Sequence, residues 1–442
     1  MGIFKAYDIR GTYPDQINEA TAERIGRATA VHLGAKTLVV GRDVRLSSPE
    51  VAAAVARGMT SAGCDVVDIG RVTTPMSYFA IAKYGYDGAV MVTASHNPPQ
   101  YTGFKISREK SIPLSESTGL QNIKELVDAD RPVKPARPGT VRAQDIRAAY
   151  VEHVRGFLRT PRPLKMVVDT ANGCVGMFFH DVVHGLPFQI VPLCFEPDGN
   201  FPNHEPNPSK DENVVHLRER IRAEKAQLGV AFDGDGDRCL FFDENGDRIP
   251  TDMVTILLAR DFLRRSPGSA VVYDLRSSWA VPEEIRRAGG VPIRERVGHS
   301  FMKATLRKHD GVFGGELAGH YYFRDHAYAD SGLITFACML NVVSESAGPA
   351  SELTRAFQRY HATGEINFHI EDKDAKIAEL KRTFADGRAD ELDGITVEYD
   401  DWWFNVRKSN TEPLLRLNLE ARTAEKLKEA RNKMFAILGK PE

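Results

Sequence analysis

The stretch Asp87-Gly-Ala-Val-Met-Val-Thr93-Ala-Ser-His-Asn-Pro98 shows the pattern that decides the fold of this chain. Its first half is apolar and rich in valine, which predicts a buried strand. Its second half contains His96, Asn97 and Pro98, which are typical of a turn. Ligands of α/β proteins bind at the carboxyl ends of strands. The pattern therefore predicts that Ser95 stands exposed at such an end.

Strand-like and helix-like segments alternate on both sides of this stretch for most of the 442 residues. Further strands are predicted at Thr37–Gly41, Asp65–Gly70, Leu164–Asp169, Gly229–Phe232, Ala270–Tyr273, Gly290–Arg294 and Gly311–Gly315. Helices are predicted at Pro49–Ala62, Ala143–Leu158, Gly173–His184, Met253–Arg264, Ser278–Ala288, Phe301–Lys308 and Asp330–Ser344. Such alternation favours parallel α/β layers.

The C-terminal part follows a different pattern. Three strands lie close together, at Gly394–Tyr399, Trp402–Val406 and Leu414–Leu419, before a predicted helix at Thr423–Ile437. Closely spaced strands are typical of an antiparallel α+β unit. The predicted fold class is α/β, with three similar mixed α/β domains and a C-terminal α+β domain. A proline-rich connector and the changes of pattern predict domains at 1–142, 143–248, 249–363 and 364–442.

Composition and charge argue against several classes of function. The formal net charge is -2 and the pI is near 6.7, so bulk electrostatics attracts neither nucleic acid nor a membrane surface. The five cysteines are widely spread and odd in number, which favours a reduced, cytoplasmic protein. The first ten residues carry charges where a signal peptide would be apolar. The longest apolar stretch, residues 332–343, is too short to cross a bilayer.

The most specific motif is Asp233-Gly-Asp-Gly-Asp-Arg238, which directly follows a predicted strand. Its three carboxylates repel one another unless a divalent cation lies among them. Carboxylate oxygens are the ligands that Mg²⁺ prefers, and the glycines allow a tight backbone that turns alternate side chains toward one centre. The motif therefore predicts a Mg²⁺ site formed by Asp233, Asp235 and Asp237.

Three other interpretations of this motif compete with the Mg²⁺ site. An EF-hand loop would use the three aspartates and Glu244 as ligands, but it needs glycine where Arg238 stands. A solvated acidic turn needs no metal. The D-x-D loop of aspartyl-phosphate hydrolases also follows a strand, but Asp237 replaces its expected Thr or Val.

Two further loops carry groups suited to a sugar phosphate. Gly315-Glu-Leu-Ala-Gly-His320 offers a carboxylate, which hydrogen-bonds pairs of sugar hydroxyls, and an imidazole. Arg407-Lys-Ser-Asn-Thr-Glu-Pro413, followed by Arg416, combines hydroxyl, amide and guanidinium donors that suit a phosphate. Each of these loops, like the Ser95 loop, also fits an ordinary turn when it is considered alone.

Together the four loops resemble those of the α-D-phosphohexomutase superfamily, and within it the bacterial phosphomannomutase/phosphoglucomutase group. The similar segments are Thr93–Pro98 (phosphoserine loop), Asp233–Arg238 (metal loop), Gly315–His320 (sugar loop), Arg407–Pro413 (phosphate loop), Lys5–Gly11 and Val297–Lys303. They occur in the family's order and spacing, so the resemblance covers nearly the whole chain.

The resemblance implies roles for particular residues in a central active-site cleft between the domains. Ser95 would carry a phosphoryl group and would hold Mg²⁺ together with Asp233, Asp235 and Asp237. Lys105 would transfer protons, with a pKa expected to fall beside Mg²⁺ and the arginines. The other implied catalytic residues are His96, Arg10 and His299. The implied substrate-binding residues are Glu316, His320, Arg407, Ser409, Asn410, Thr411, Arg416, Arg238, Tyr7 and Arg276.

The implied activity is the reversible interconversion of hexose 6-phosphate and hexose 1-phosphate through a phosphoserine enzyme. Hexose 1,6-bisphosphate is the implied intermediate and activator, sugar phosphates are the implied partners, and a monomer or dimer is expected. The alternatives are a phosphoglucosamine mutase, a metal-dependent sugar phosphatase and a catalytically silent sugar-phosphate binder. Asn410 favours mannose and glucose phosphates, because members for the amino sugar tend to carry glycine there. Ala318 and Arg276 depart from the family's usual Ser and Lys and leave the preferred sugar open.

Overall fold

The computed structural model describes residues 2–159, 162–409 and 414–442, which form four β-sheets. The first sheet has the strand order β1-β5-β4-β2-β3-β7, with β6 paired to β5. Its strands are β1 (Ile9–Thr12), β2 (Thr37–Arg42), β3 (Asp65–Arg71), β4 (Gly88–Val92), β5 (Tyr101–Arg108), β6 (Ile112–Pro113) and β7 (Val141–Ala143). Its helices are α1 (Glu19–Leu33), α2 (Ser48–Ser61), α3 (Thr74–Tyr84) and α4 (Leu120–Ala129). The central pairs are parallel, while β5 pairs antiparallel with β1 and β4.

The second sheet has the order β11-β10-β8-β9, with β11 as its antiparallel edge. The elements of this part are α5 (Arg147–Arg155), β8 (Leu164–Asp169), α6 (Gly176–Val183), β9 (Phe188–Leu193), α7 (Val215–Glu224), β10 (Leu228–Phe232) and β11 (Cys239–Phe242). Every residue of β10 and β11 is buried, as expected for strands that are covered on both faces.

The third sheet has the order β13-β12-β14-β15-β16 and changes from parallel to antiparallel pairing at β14. Its strands are β12 (Ala270–Asp274), β13 (Val291–Glu295), β14 (Phe313–Gly315), β15 (Tyr321–Phe323) and β16 (Ala329–Asp330). Its helices are α8 (Thr251–Arg265), α9 (Ala280–Arg287), α10 (His299–Lys308) and α11 (Gly332–Glu345). The largely apolar α11 is buried over most of its length, and Ser331 caps it by accepting a hydrogen bond from the Ile334 N–H.

The fourth sheet is antiparallel throughout, in the order β17-β21-β20-β19-β18. Its elements are β17 (His361–Phe368), α12 (Lys373–Thr383), β18 (Arg388–Asp390), β19 (Ile395–Glu398), β20 (Trp402–Lys408), β21 (Leu415–Ala421) and α13 (Ala424–Leu438). Three mixed α/β units followed by an antiparallel α+β unit confirm the predicted fold class.

The predicted strands and helices are confirmed with shifts of a few residues at their ends, and several elements were missed. The missed elements include α1, α3, β1, β5, β9 and α12. Two sheets extend across predicted domain boundaries. Strand β7 pairs with β3 on both sides of residue 142, and β17 pairs with β21 from His361 onward.

The apolar core distinguishes the C-terminal domain from the rest. One buried cluster runs through the first three sheets, from Val39 to Phe357, whereas the C-terminal domain has its own cluster, from Phe368 to Leu438. The C-terminal domain therefore has a core of its own, and its contacts with the third domain include ion pairs and hydrogen bonds. Among the described helices, none has both the length and the apolar character needed to cross a membrane.

Candidate active site

Three of the predicted loops follow strand ends and meet in one place. The Ser95 loop follows β4, the Asp233 loop follows β10, and the Glu316 loop joins β14 to β15. The first two are in direct contact, because a hydrogen bond joins the Ser95 hydroxyl to Asp233. The second and third are in contact as well, since Arg238 and His320 pair through backbone and side chains.

Ser95 lies in a strained and enclosed turn. Its φ of 51° is in the left-handed region, which is uncommon for a residue other than glycine and is often found at functional sites. Its Oγ lies 3.2 Å from Asp233 Oδ2 and 3.2 Å from His96 Nδ1. The prediction that Ser95 is exposed is wrong: the residue is 2 % exposed. The Asp233 loop covers it, with Gly234 packed against the Ser95 carbonyl group.

Arg45 holds the serine loop and was missed in the sequence. Its buried guanidinium donates to the backbone carbonyls of Ser95 (3.0 Å), Asn97 (2.6 Å), Pro98 (2.6 Å) and Tyr101 (3.2 Å). Four carbonyl acceptors around one cation fix the turn without using its side chains. The only feature of the sequence that could have marked Arg45 as a site residue was its position shortly after the predicted strand Thr37–Gly41.

The three aspartates of the Asp233 loop form a buried carboxylate cluster. Their oxygens lie within 4.8 Å of one another. Lys105, on β5, donates from Nζ to Asp235 (2.7 Å) and Asp237 (2.5 Å). Burial excludes the solvated acidic turn, and the flanking strands β10 and β11 exclude the helices of an EF-hand.

Electrostatics distinguishes the members of this cluster. Burial, together with the charges of Asp237 and Asp235, holds the pKa of Asp233 well above its usual value. Burial alone would lower the pKa of Lys105. The negative charges of Asp235 and Asp237 have a larger combined effect and raise this pKa well above its normal value. The protein groups alone therefore raise the pKa of Lys105, and the expected fall beside Mg²⁺ stays a prediction.

The carboxylate cluster suits a divalent cation. Asp235 Oδ1 and Asp237 Oδ1 are buried and have no hydrogen-bond partner among the described residues. Such oxygens are costly to bury unless they are ligated. Three carboxylates beside a serine hydroxyl form an all-oxygen donor set of the kind that Mg²⁺ prefers.

The sugar loop is held by buried polar contacts. The Tyr322 hydroxyl donates to Glu316 (2.7 Å), and the Arg238 Nε–H donates to His320 Nε2 (3.1 Å). The opposite nitrogen of His320, Nδ1, lies 3.0 Å from Asp330, which also pairs with Lys303 at 2.8 Å. Asp330 and Lys303 were not predicted as site residues, and only their nearness to predicted segments pointed to them.

The remaining catalytic candidates, His299, His96 and Arg10, and the substrate-binding candidate Tyr7 contact these loops or the segments beside them. His299 begins α10, and its ring centroid lies 6.4 Å from that of His320 and 5.7 Å from that of Tyr7. Burial lowers the pKa of His299 and that of His96 well below the ordinary value, so both imidazoles are neutral. The Tyr7 hydroxyl donates to the Val297 carbonyl (3.1 Å), and burial raises its pKa to about 12. Arg10 pairs with Asn97 of the serine loop.

The phosphate loop lies between β20 and β21. Arg407 and Arg416 pair directly across these two strands. The Ser409 N–H donates to the Leu414 carbonyl (2.9 Å). Asn410 and Thr411 lie outside the described residues.

A carboxylate that the sequence analysis missed joins this loop to the third domain. Glu365 contacts Arg407 (2.9 Å), Arg416 (3.1 Å) and Arg276 (3.1 Å). Arg276 also pairs with Asp274. Nothing in the local sequence marked Glu365, because its partners come from distant segments.

Comparison with known proteins assigns all four parts of the chain to one family. The phosphoglucomutase/phosphomannomutase models match residues 1–134 (alpha/beta/alpha domain I), 148–246 (domain II), 250–360 (domain III) and 365–437 (C-terminal domain).

Relatives match over nearly their full length. A protein of Xanthomonas campestris pv. campestris (strain B100) named phosphohexose mutases is 41% identical over 440 residues, with 98% of each chain covered. A phosphomannomutase of Escherichia coli (strain K12) is 40% identical over 447 residues, again with 98% of each covered. The crystal structure of a phosphoglucomutase/phosphomannomutase family protein from Burkholderia thailandensis superposes with a TM-score of 0.91 at 34% identity, covering 100% of this chain and 98% of that one. The chain therefore belongs to the phosphoglucomutase/phosphomannomutase family and is an enzyme of the mutase type.

Proposed function

We propose that the protein interconverts the 6-phosphates and 1-phosphates of mannose and glucose through a phosphoryl group carried on Ser95. This proposal rests on the position of the Ser95 hydroxyl. The hydroxyl is buried in a strained turn, and its Oγ lies 3.2 Å from Asp233 Oδ2 of the carboxylate cluster. Phosphoryl transfer depends on positioning and charge neutralisation, and this loop is fixed by Arg45 and covered from solvent.

Mg²⁺ is the proposed cofactor. Asp233, Asp235, Asp237 and an oxygen on Ser95 would hold it, in keeping with the unpartnered carboxylate oxygens of the cluster. When bound, the ion supplies positive charge to the transferring phosphoryl group. Arg238, 3.7 Å from Asp233, and Arg10 on β1, which is hydrogen-bonded to Asn97 of the serine loop, add further positive charge nearby.

His96 is suited to accept the proton of Ser95 when the serine attacks phosphorus. Its Nδ1 lies 3.2 Å from Ser95 Oγ, within hydrogen-bond reach, and burial keeps the ring neutral, although the lowered pKa also makes it a weaker base. Lys105 is cationic in this arrangement and neutralises charge, so its role as a base stays a prediction. His299 is a second neutral imidazole at the cleft and a candidate for proton exchange with the sugar hydroxyls.

The proposed cycle has two transfers. The phosphorus–oxygen bond of phospho-Ser95 breaks as a hydroxyl of the hexose phosphate attacks, which gives a hexose 1,6-bisphosphate. The intermediate turns around, and Ser95 Oγ takes its other phosphoryl group and releases the isomeric monophosphate. Added hexose 1,6-bisphosphate is an activator because it phosphorylates an enzyme that has lost its phosphoryl group.

The remaining loops are proposed to hold the substrate in both orientations. Glu316 and His320 are candidates for the sugar hydroxyls, with Tyr7 nearby. Arg407, Arg416, Ser409, Asn410 and Thr411 are candidates for the non-reacting phosphate, with Arg276 beside them. Closure of the separately packed C-terminal domain would exclude water, which otherwise hydrolyses the phosphoserine. A reducing, cytoplasmic setting is proposed because the five cysteines are free.

The test is an isomerisation assay of the wild-type chain beside Ser95→Ala, with Mg²⁺ and a trace of glucose 1,6-bisphosphate. Substrates are the 1-phosphates of mannose, glucose and glucosamine. We expect turnover of mannose and glucose phosphates that is lost in Ser95→Ala and retained in Ser107→Ala, a buried serine of the same domain. Turnover confined to glucosamine phosphate would assign the amino sugar. Release of inorganic phosphate that survives Ser95→Ala would reject the phosphoserine mechanism.

A further inference from the structure

Glu365 projects from a bend at the start of the C-terminal domain. The register of β17 against β21 shifts between Ala362 and Glu365, and Gly364 has a φ of 70°. Bulges of this kind bend a strand and redirect side chains, often beside active sites. The bend lies where the chain passes from the third domain into the fourth sheet.

The shared face of the fourth sheet explains why Glu365 meets the two arginines. Arg407 pairs with Arg416, and Arg416 pairs with Asn367. Directly opposed residues of antiparallel strands point to the same face, and so do residues two apart on one strand. Glu365 is two residues from Asn367 and therefore lies on the face that carries both arginines.

The Glu365 carboxylate occupies the donors of these arginines. One oxygen, Oε2, accepts from Arg407 Nη2 (2.9 Å) and from Arg276 Nη1 (3.1 Å), while Oε1 lies 3.1 Å from Arg416 Nη1. Arg407 is only 1 % exposed, whereas the Glu365 side chain is 27 % exposed. A ligand approaching from the cleft therefore reaches the carboxylate before it reaches the Arg407 guanidinium.

We propose that Glu365 is a positioning residue that holds Arg407 and Arg416 in the free enzyme and is displaced from them by the non-reacting phosphate of the substrate. The inference rests on the proposed role of these arginines. A carboxylate and a phosphate oxygen accept the same guanidinium donors, so the two compete. When the bisphosphate must turn around, the Glu365 carboxylate binds the two arginines again and so helps the substrate phosphate to leave them. The contact with Arg276 links this exchange to the third domain.

The test compares Glu365→Gln with the wild-type chain. The amide has nearly the same shape but carries no charge and competes more weakly. We expect inorganic phosphate, titrated by calorimetry, to bind about ten-fold more tightly, which corresponds to about 1.4 kcal/mol. KM for the hexose phosphate should fall together with kcat, because phosphate departure is slowed. A merely structural role predicts a higher KM and weaker phosphate binding.

Matched variants complete the test. Glu371→Gln, an exposed glutamate of the same domain, should leave phosphate binding and both kinetic constants unchanged. Glu365→Asp keeps the charge with a shorter reach, so its phosphate affinity should lie between those of wild type and Glu365→Gln; it also serves if Glu365→Gln does not fold. Unchanged or weaker phosphate binding in both variants would overturn the proposal. Calorimetry needs no turnover, so this result is separate from a failure of the wild-type mutase assay.

Discussion

At the scale of single residues, the site is dominated by buried charge. Lys105 places its ammonium between Asp235 and Asp237, where a cation would also bind. Forming a buried ion pair costs desolvation free energy, and removing one of its partners destabilises the protein further because the other charge stays buried without compensation. Lys105 therefore compensates part of the negative charge of these carboxylates.

Replacement of Lys105 by methionine should make the chain more dependent on Mg²⁺. Removal of one partner of a buried ion pair costs about 3–5 kcal/mol, so the metal-free variant should melt earlier than wild type. Mg²⁺ should then raise the melting temperature of the variant more than that of wild type, because it meets no competing ammonium. Lys83→Met, at an exposed lysine, is the control. Equal Mg²⁺-induced shifts in variant and wild type would show that the lysine and the metal do not share a site.

At the scale of elements, close backbone approaches set the geometry of the site. A Cβ on Gly234 would lie 2.8 Å from the Ser95 carbonyl oxygen and 3.1 Å from Pro206 Cβ. Helices α1 and α2 meet in a similar way, since a Cβ on Gly26 would lie 2.2 Å from the Val55 carbonyl oxygen. In both places glycine is required because any larger residue would bring its Cβ too close to a neighbouring backbone carbonyl oxygen.

Gly234→Ala should separate the metal loop from the serine loop. The added methyl group meets backbone that cannot move freely, so Ser95 and Asp233 should shift apart. A displacement of this kind costs about a hundred-fold in kcat. The measurements are steady-state kinetics and the melting temperature, which should fall by only a few degrees because overpacking costs about 1–3 kcal/mol. Full activity in a well-folded variant would show that the spacing of the two loops is not critical.

The contact between α5 and the 3₁₀ turn Arg324–His326 should make stability depend on pH. His153 Nε2 lies 3.1 Å from His326 Nδ1, and burial, followed by the charge of His153, lowers the pKa of His326 to about 3 from 6.5. At His326 the unfolded chain binds more protons between these values, so this group does not reduce the free energy of unfolding above pH 6.5 and reduces it progressively as the pH falls toward 3.

Urea unfolding at pH 7.5 and 5.5 measures this effect. The midpoint should fall at the lower pH in wild type and in the control His309→Gln, an exposed histidine. His326→Gln should reduce the difference between the two midpoints. A pH dependence that is unchanged in His326→Gln would assign it to other groups.

Elements with strong apolar runs were predictable and the others were not. Strand β4 has five buried residues, and such a run is visible in sequence. Helix α1 buries mainly alanine, glycine and threonine, which resemble surface residues in sequence although they allow close packing. The loops of the site were predictable as well, because their serine, aspartate and glycine residues form recognisable motifs. Glu365 was missed because its partners lie 42 residues or more away along the chain.

At the scale of the whole molecule, a separately packed C-terminal domain borders a three-domain body. Arg294 on β13 contacts Glu398 and, at 3.0 Å, Asp390 of the C-terminal domain. The Trp279 N–H donates to Glu420 across the same boundary (2.9 Å). Polar contacts of this kind let two bodies separate and rejoin more readily than a shared apolar core would.

Arg294→Gln should allow more hexose 1,6-bisphosphate to escape before it turns around. Partly exposed ion pairs contribute about 1 kcal/mol or less, so the melting temperature should hardly change. Release of labelled bisphosphate per turnover should rise, because the C-terminal domain closes less firmly. Arg388→Gln removes an exposed pair within the C-terminal domain and is the control. A variant that retains the intermediate as well as wild type would show that this contact does not affect closure.

The pairing of β17 with β21 has a consequence for the newly made protein. Strand β17 begins the C-terminal sheet, but its partner β21 is synthesised only after β18, β19 and β20. The nascent chain can complete its first three sheets during translation, while residues 361–368 still lack their partner strand. The unpaired segment carries Glu365, so its carboxylate meets Arg407 and Arg416 only after these later residues have been synthesised. A translation product truncated before β20 would therefore hold Ser95 and the aspartates but lack Arg407 and Arg416, so we expect it to bind sugar phosphates weakly.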